Sequence, residues 1–192
     1  PESVREALRS RVTAAIARLG YVPHAGARAL KLQRSGTVGA VFPTIDNAIF
    51  AQAIAALQQR LAEAGLQLLI ATSGYDVETE ARQAVNLVTR GADALVLCGL
   101  GQSPALLQFL RGRDFPTVHA MSWPAPADAV CVGFDNGRAI GQGVHYLLDL
   151  GHRRVAMLAG LARDNDRAAA RIAGVRKALQ QRGLKLAPQH LV

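Results

Sequence analysis

The chain has 192 residues, 50% hydrophobic and 19% charged, a composition that supports a sizeable core and excludes a disordered or fibrous protein. No apolar run reaches the roughly 18 to 20 residues of a membrane span, and the first residues lack the basic-then-apolar pattern of a secretory leader, so a cytoplasmic protein with no membrane partner is expected. The net charge of +8 is uneven: residues 1–35 hold seven Lys/Arg against two acids, residues 36–135 five against nine, and residues 136–192 ten against three. A basic arm on an acidic body suits a phosphate-binding element joined to a regulatory domain.

In chain order, Ser3 and Glu6 have capping-box spacing, Leu8, Val12, Ala15, Ile16 and Leu19 form one helical stripe, and Gly20 supplies a stop. Tyr21-Val22-Pro23 reads as an extended joint, because a residue before proline is pushed out of the α region. The Ala-rich segment that follows, His24 to Lys31, is too short to be a stable helix alone. From Thr37 onward, short β-like runs alternate with helical periods. The expected strands are Thr37–Phe42, Leu66–Thr72, Ala94–Cys98, Thr117–Ala120, Val130–Phe134 and Val155–Ala159. The expected helices are Phe50–Ala64, Glu78–Arg90, Pro104–Arg111, Gly137–Leu150 and Arg167–Arg182. Strands apolar on both faces alternating with helices predict an α/β fold, a parallel sheet covered on two sides with right-handed crossovers.

Ligands of such sheets bind beyond the carboxyl ends of the strands. Those ends here are rich in hydroxyl, amide, carboxylate and guanidinium groups, with a few aromatics, which suits a small polyhydroxylated molecule. No catalytic signature stands beside them. Gly99-Leu100-Gly101 lacks the third glycine of a dinucleotide fingerprint, and there is no GxSxG, HExxH or Walker sequence. No cofactor and no metal are expected, and the chain is not expected to be an enzyme. Cys98 and Cys131 stand singly in apolar stretches and read as buried small hydrophobes of a reducing compartment.

Ser3–Gly20, Tyr21-Val22-Pro23 and Ala27-Arg28-Ala29-Leu30-Lys31 resemble the last headpiece helix, linker and hinge helix of LacI/GalR-family transcriptional regulators. Thr37–Pro43, Asp46-Asn47 to Phe50, Val132-Gly133-Phe134-Asp135-Asn136, Leu150-Gly151-His152-Arg153-Arg154-Val155 and Arg171-Ile172-Ala173-Gly174 resemble successive landmarks of that family's effector domain. Their order and spacing cover essentially the whole chain. The resemblance implies periplasmic-binding-protein-like doubly wound parallel sheets in two lobes, preceded by a helical headpiece remnant and a hinge helix. Laid on that plan, residues 1–23 are the last headpiece helix and linker, 24–35 the hinge helix and linker, 36–135 the N-terminal lobe, and 136–192 the start of an incomplete C-terminal lobe. The first headpiece helices would precede Pro1.

The resemblance implies a homodimer or higher homo-oligomer that binds operator DNA and releases or holds it in response to a small effector, a sugar or sugar acid. Leu30 falls at the family's minor-groove wedge, with Arg28 and Lys31 beside it to meet phosphate or groove edges; an ordinary hydrophobe packing the hinge is the alternative for Leu30. For the effector, the resemblance points to Asn47, Phe50 and Arg171. Asn165, Asp166 and Arg167 stand on the loop entering the last helix, and Asp135 ends a strand beside the lobe crossover. Helix capping is the alternative for Asn47 and Asp135, and a solvated helix residue the alternative for Arg171. Thr44 and Met121 depart from acidic or acceptor positions of the family, which tilts the expected effector toward an anion; Trp123 reads either as a stacking platform or as a tryptophan packing the lobe crossover. A solute-binding protein of a transporter and an α/β enzyme are the competing functions, and the basic arm argues against the first.

Overall fold

Along β1 (Thr37–Phe42) the side chains alternate between two cores, Val41 into one and Ala40 and Phe42 into the other. The first core takes Leu95 and Leu97 of β3 (Ala94–Cys98), Ala84 and Leu87 of α3 (Val77–Thr89), and Leu106 and Leu110 of α4 (Pro104–Arg111). The second takes Cys98 of β3 and Phe50 and Ile54 of α2 (Ala48–Glu63). A strand alternates faces with period two, so these two clusters place α2 on one face of the sheet and α3 and α4 on the other. This is the doubly wound arrangement expected from the sequence.

The computed structural model describes residues 5–21, 31–32, 34–124 and 126–192, and the chain divides into two compact units, residues 1–35 and 36–192. In the larger unit, β1, β2 (Gln67–Thr72), β3, β4 (Thr117–Ala120) and β5 (Val130–Val132) form one sheet in the order β2-β1-β3-β4-β5, and every pairing is parallel. β5 stops two residues short of the expected Phe134. Val132 pairs with Ala120, the last residue of β4, so the ladder has no further partner.

Beyond the sheet, α5 (Asn136–Asp149) and α6 (Asp166–Gln180) pack on each other through Val144, Leu148, Val175, Ala178 and Leu179. They approach so closely that a Cβ on Gly174 would overlap the Gly137 carbonyl oxygen and lie 2.8 Å from its Cα. The strand expected at Val155–Ala159 does not form. Met157 makes a single parallel bridge with Leu191, and Leu158 is 86% exposed.

The smaller unit holds α1 (Glu6–Leu19), with Leu8, Val12, Ile16 and Leu19 exposed along one stripe. α1 begins later than the capping-box spacing predicts. Arg5 is its N-cap and makes no side-chain cap bond, which leaves Glu6 in the first turn at the positive end of the helix dipole; Ser3 lies outside the described residues. Gly20 ends the helix in the left-handed region at φ 58°. Lys31 is helical and exposed, whereas Arg28, Leu30 and Val22-Pro23 lie outside the described residues.

Candidate functional site

The carboxyl ends of β1, β2 and β3 meet the N-terminus of α6 at a narrow cleft lined in part by Ser73, Tyr75, Asp76, Glu80, Cys98, Gln102, Asp164, Asp166 and Arg167. It encloses about 20 Å³, on the scale of a site for one water or one ligand hydroxyl. Among the described residues no group of His, Cys, Asp and Glu is placed to hold a metal ion, and no helix is long and apolar enough to cross a membrane.

α6 brings two of the expected residues into this cleft. Asn165 caps the helix, its Oδ1 accepting from the Ala168 N–H at 3.2 Å and its Nδ2 donating to the Leu161 carbonyl at 2.9 Å. That cap fixes where the next two residues point. Asp166 Oδ2 accepts from the Leu100 N–H at 3.0 Å and from the Ser122 hydroxyl at 2.8 Å, while its Oδ1 pairs with Arg167 at 2.9 Å. Arg167, 7% exposed, also donates to the Cys98 carbonyl at 3.0 Å. The carboxylate and guanidinium therefore tie α6 to the ends of β3 and β4. Gly99 makes room for them: at φ 93° a Cβ there would overlap the Arg167 guanidinium and the Asp166 carboxylate.

Arg171 lies one turn further along α6 and donates to Asn136 Oδ1 at 2.6 Å, and Asn136 in turn donates to the Met121 carbonyl at the end of β4. The other expected residues stand apart from the cleft. Asn47 caps α2 through the Ile49 N–H at 2.9 Å and is exposed. Phe50 is buried in the core beneath α2, with its ring 5.9 Å from that of Phe42. Asp135 caps α5 through the Arg138 N–H at 2.8 Å. Trp123 is 53% exposed.

Glu80 is a cleft residue that sequence reasoning missed; Gln102 stands at one of the strand ends where a ligand was expected. Gln102 Nε2 donates to Glu80 Oε1 at 3.4 Å and to the Gly99 carbonyl at 3.3 Å. Both residues are buried. Burial pushes the Glu80 carboxyl up to about 7, against smaller opposing effects of the Gln102 hydrogen bond and Arg167. A signal for Glu80 was present: it stands four and seven residues before Ala84 and Leu87, on the buried stripe of α3. Burial likewise pushes the Cys98 thiol up to about 11, so it stays protonated and unreactive at neutral pH. Asp76, Glu80, Asp164 and Asp166 face the cleft against the one lining cation, Arg167. This balance runs against the anionic effector suggested by Thr44 and Met121, since an incoming anion would meet more carboxylate than guanidinium.

Residues 35–192 match the family model described as periplasmic binding proteins and sugar binding domain of LacI family. The chain belongs to this family. The HTH-type transcriptional regulator GntR of Escherichia coli K12 is 29% identical over 96% of the chain, and the ribose operon repressor of the same organism 30% identical over 95%. The chain covers 55% and 56% of those two proteins, about half the length of the curated relatives it matches. A LacI-family transcriptional regulator from Silicibacter pomeroyi superposes with a TM-score of 0.85 at 27% identity, over 96% of this chain and 55% of that one. The parallel α/β fold is thus that of LacI-family effector domains, and the relatives are transcriptional regulators.

Proposed function

We propose that this chain is the effector-binding part, with a hinge and a headpiece remnant, of a cytoplasmic repressor that binds operator DNA as a homodimer or higher homo-oligomer. In this reading residues 1–23 end a headpiece, 24–35 form the hinge, 36–135 the N-terminal lobe and 136–192 the start of the C-terminal lobe. Arg28, Leu30 and Lys31 meet DNA, Leu30 as a wedge in the minor groove. The observation that carries the reading is the tie between α6 and the strand ends, made by Asp166 to Leu100 and Ser122 and by Arg167 to Cys98. Polar groups from a second segment converge there on the place where doubly wound sheets bind ligands. A ligand that rearranges this tie changes how residues 136–192 sit on the sheet, and the coupling to DNA is then reciprocal.

The effector is a sugar or sugar acid, and the acid-rich cleft favours the neutral sugar. Arg171, held by Asn136, together with Asn165, Asp166 and Arg167, forms the effector side of α6, while Asn47 and Asp135 contribute through the helix ends they cap. A solute-binding protein would share the fold. Similarity to DNA-binding regulators extends over 96% of the chain, into residues that precede the domain match at 35, and supports the repressor. The test is a thermal-shift screen of sugars and sugar acids on the protein expressed from its complete reading frame. A true effector at about 100 times its Kd adds roughly 2.7 kcal/mol of stability, and Arg171→Ala removes that shift while leaving operator binding intact. A ligand response unchanged by Arg171→Ala contradicts the assignment of that residue.

A further inference from the structure

Glu80 lies within the cleft, yet it belongs to neither the cap of α6 nor the Asp166–Arg167 pair. From α6 it faces Asp166 and Arg167, and Arg167 is already committed to Asp166 and to the Cys98 carbonyl. From β3 and the following loop it faces the Cys98 thiol and Gln102, and Gln102 shares the Gly99 carbonyl with His119 of β4. Asp76 precedes its own helix, where the carboxylate is occupied in capping Thr79. The only hydrogen bond to the Glu80 side chain among the described residues is the 3.4 Å contact from Gln102.

Gln102, 7% exposed, leaves its Oε1 buried without a hydrogen-bond partner. A buried unsatisfied acceptor costs free energy until a donor arrives. The Glu80 carboxylate and the Gln102 amide, whose Oε1 is sealed from solvent, thus both border a cleft on the scale of one hydroxyl. Beyond the long Gln102 contact, the described residues supply no donor to them.

We propose that Glu80 and Gln102 form the specificity corner of the effector site, accepting hydrogen bonds from a hydroxyl-bearing arm of a neutral polyhydroxylated ligand, so that binding requires Glu80 to be ionised. This rests on the effector-binding reading above and adds the residues and the ligand class. Hydrogen bonds accepted by a carboxylate favour its charged form, so a ligand that donates here releases the proton that Glu80 carries near neutrality. The carboxyl titrates at about 7 in the unliganded protein. Affinity should then be roughly tenfold greater at pH 8 than at pH 6, following the ionised fraction, and level off above. An anionic ligand would reverse the sign, because it would require Glu80 to hold its proton.

The experiment is isothermal calorimetry on the protein from its complete reading frame, with D-ribose, D-glucose and D-galactose and their aldonates as probes, at pH 6, 7 and 8 in two buffers of different ionisation enthalpy. The expected result is binding of a neutral sugar with proton release at pH 6 to 7 and the tenfold gain to pH 8. Glu80→Gln should weaken that binding and abolish both the proton release and the pH dependence, which also separates Glu80 from His119. A neutral sugar bound with no pH dependence, or equally by Glu80→Gln, overturns the role of Glu80 while leaving the effector reading intact. An aldonate bound with proton uptake overturns the ligand class. Binding of none of the probes removes the effector reading, and this proposal with it. The wild-type pH series is decisive even where the variant folds poorly.

Discussion

Glu80→Gln should make the protein more stable at pH 8 and leave it nearly unchanged at pH 4. The buried Glu80 carboxyl titrates at about 7 against an ordinary value of 4.5, so between those values the folded state holds a proton that the unfolded state has lost. Folding stability contributed by this group is therefore full below about pH 4.5, declines as pH rises, and is lost above about pH 7. At roughly 1.4 kcal/mol for each tenfold change in proton affinity between the two states, the loss amounts to about 3 kcal/mol. Glutamine has no proton to exchange and keeps the amide partner Gln102 within reach. Urea titrations of wild type and Glu80→Gln from pH 4 to 8 isolate the residue, because all other groups cancel in the difference. A gap that opens between pH 4.5 and 7 and is then constant is expected. A gap that does not vary with pH would refute the burial argument, as would one that closes with rising pH.

Two further substitutions probe the architecture around the cleft. Gly174→Ala places a Cβ against the Gly137 carbonyl and backbone, so the α5–α6 pair must part, at a cost of about 1 to 3 kcal/mol in thermal or urea unfolding; an unchanged midpoint would mean that the helices do not pack this closely. Asp166→Ala removes the acceptor for Leu100 and Ser122 and strands the buried Arg167 guanidinium, which should destabilise by about 3 to 5 kcal/mol. Asp166→Asn should recover part of this by keeping an acceptor oxygen, and equal stability of all three proteins would contradict the tie.

Most of the sheet was legible because its central strands are buried on both faces. Thr37–Phe42, Ala94–Cys98 and Thr117–Ala120 are short apolar runs with turn residues at their ends, and all three form strands with those bounds. Where pairing rather than composition decides, the sequence was silent. Val130–Phe134 loses its last residues because β4 ends at Ala120, and Val155–Ala159 is paired only through the Met157–Leu191 bridge. The site was legible by place and less so by residue. Asp166 and Arg167 stood out on a polar loop before a helix, and the cap by Asn165 is the kind of cap that such a loop predicts. Phe50 reads as an available aromatic in sequence, but the phase of α2 turns it inward onto Phe42. Glu80 was hidden for the opposite reason, since a carboxylate on a helix is ordinarily solvated and only the register with Ala84 and Leu87 places it inside.

The central claim, a ligand-controlled reader of DNA, is tested most directly by fluorescence-anisotropy titration of selected and scrambled duplexes, with and without the sugar identified in the screen. The protein from its complete reading frame is expected to prefer the selected duplex, to change that affinity when the sugar is added, and to bind more weakly with Leu30→Ala. The 192 residues alone should show only salt-sensitive attraction indifferent to sequence, with Kd on the order of 10⁻⁴ to 10⁻⁶ M. Tight, sequence-selective binding by these residues alone would contradict the account, as would complete protein that treats both duplexes alike at every sugar concentration.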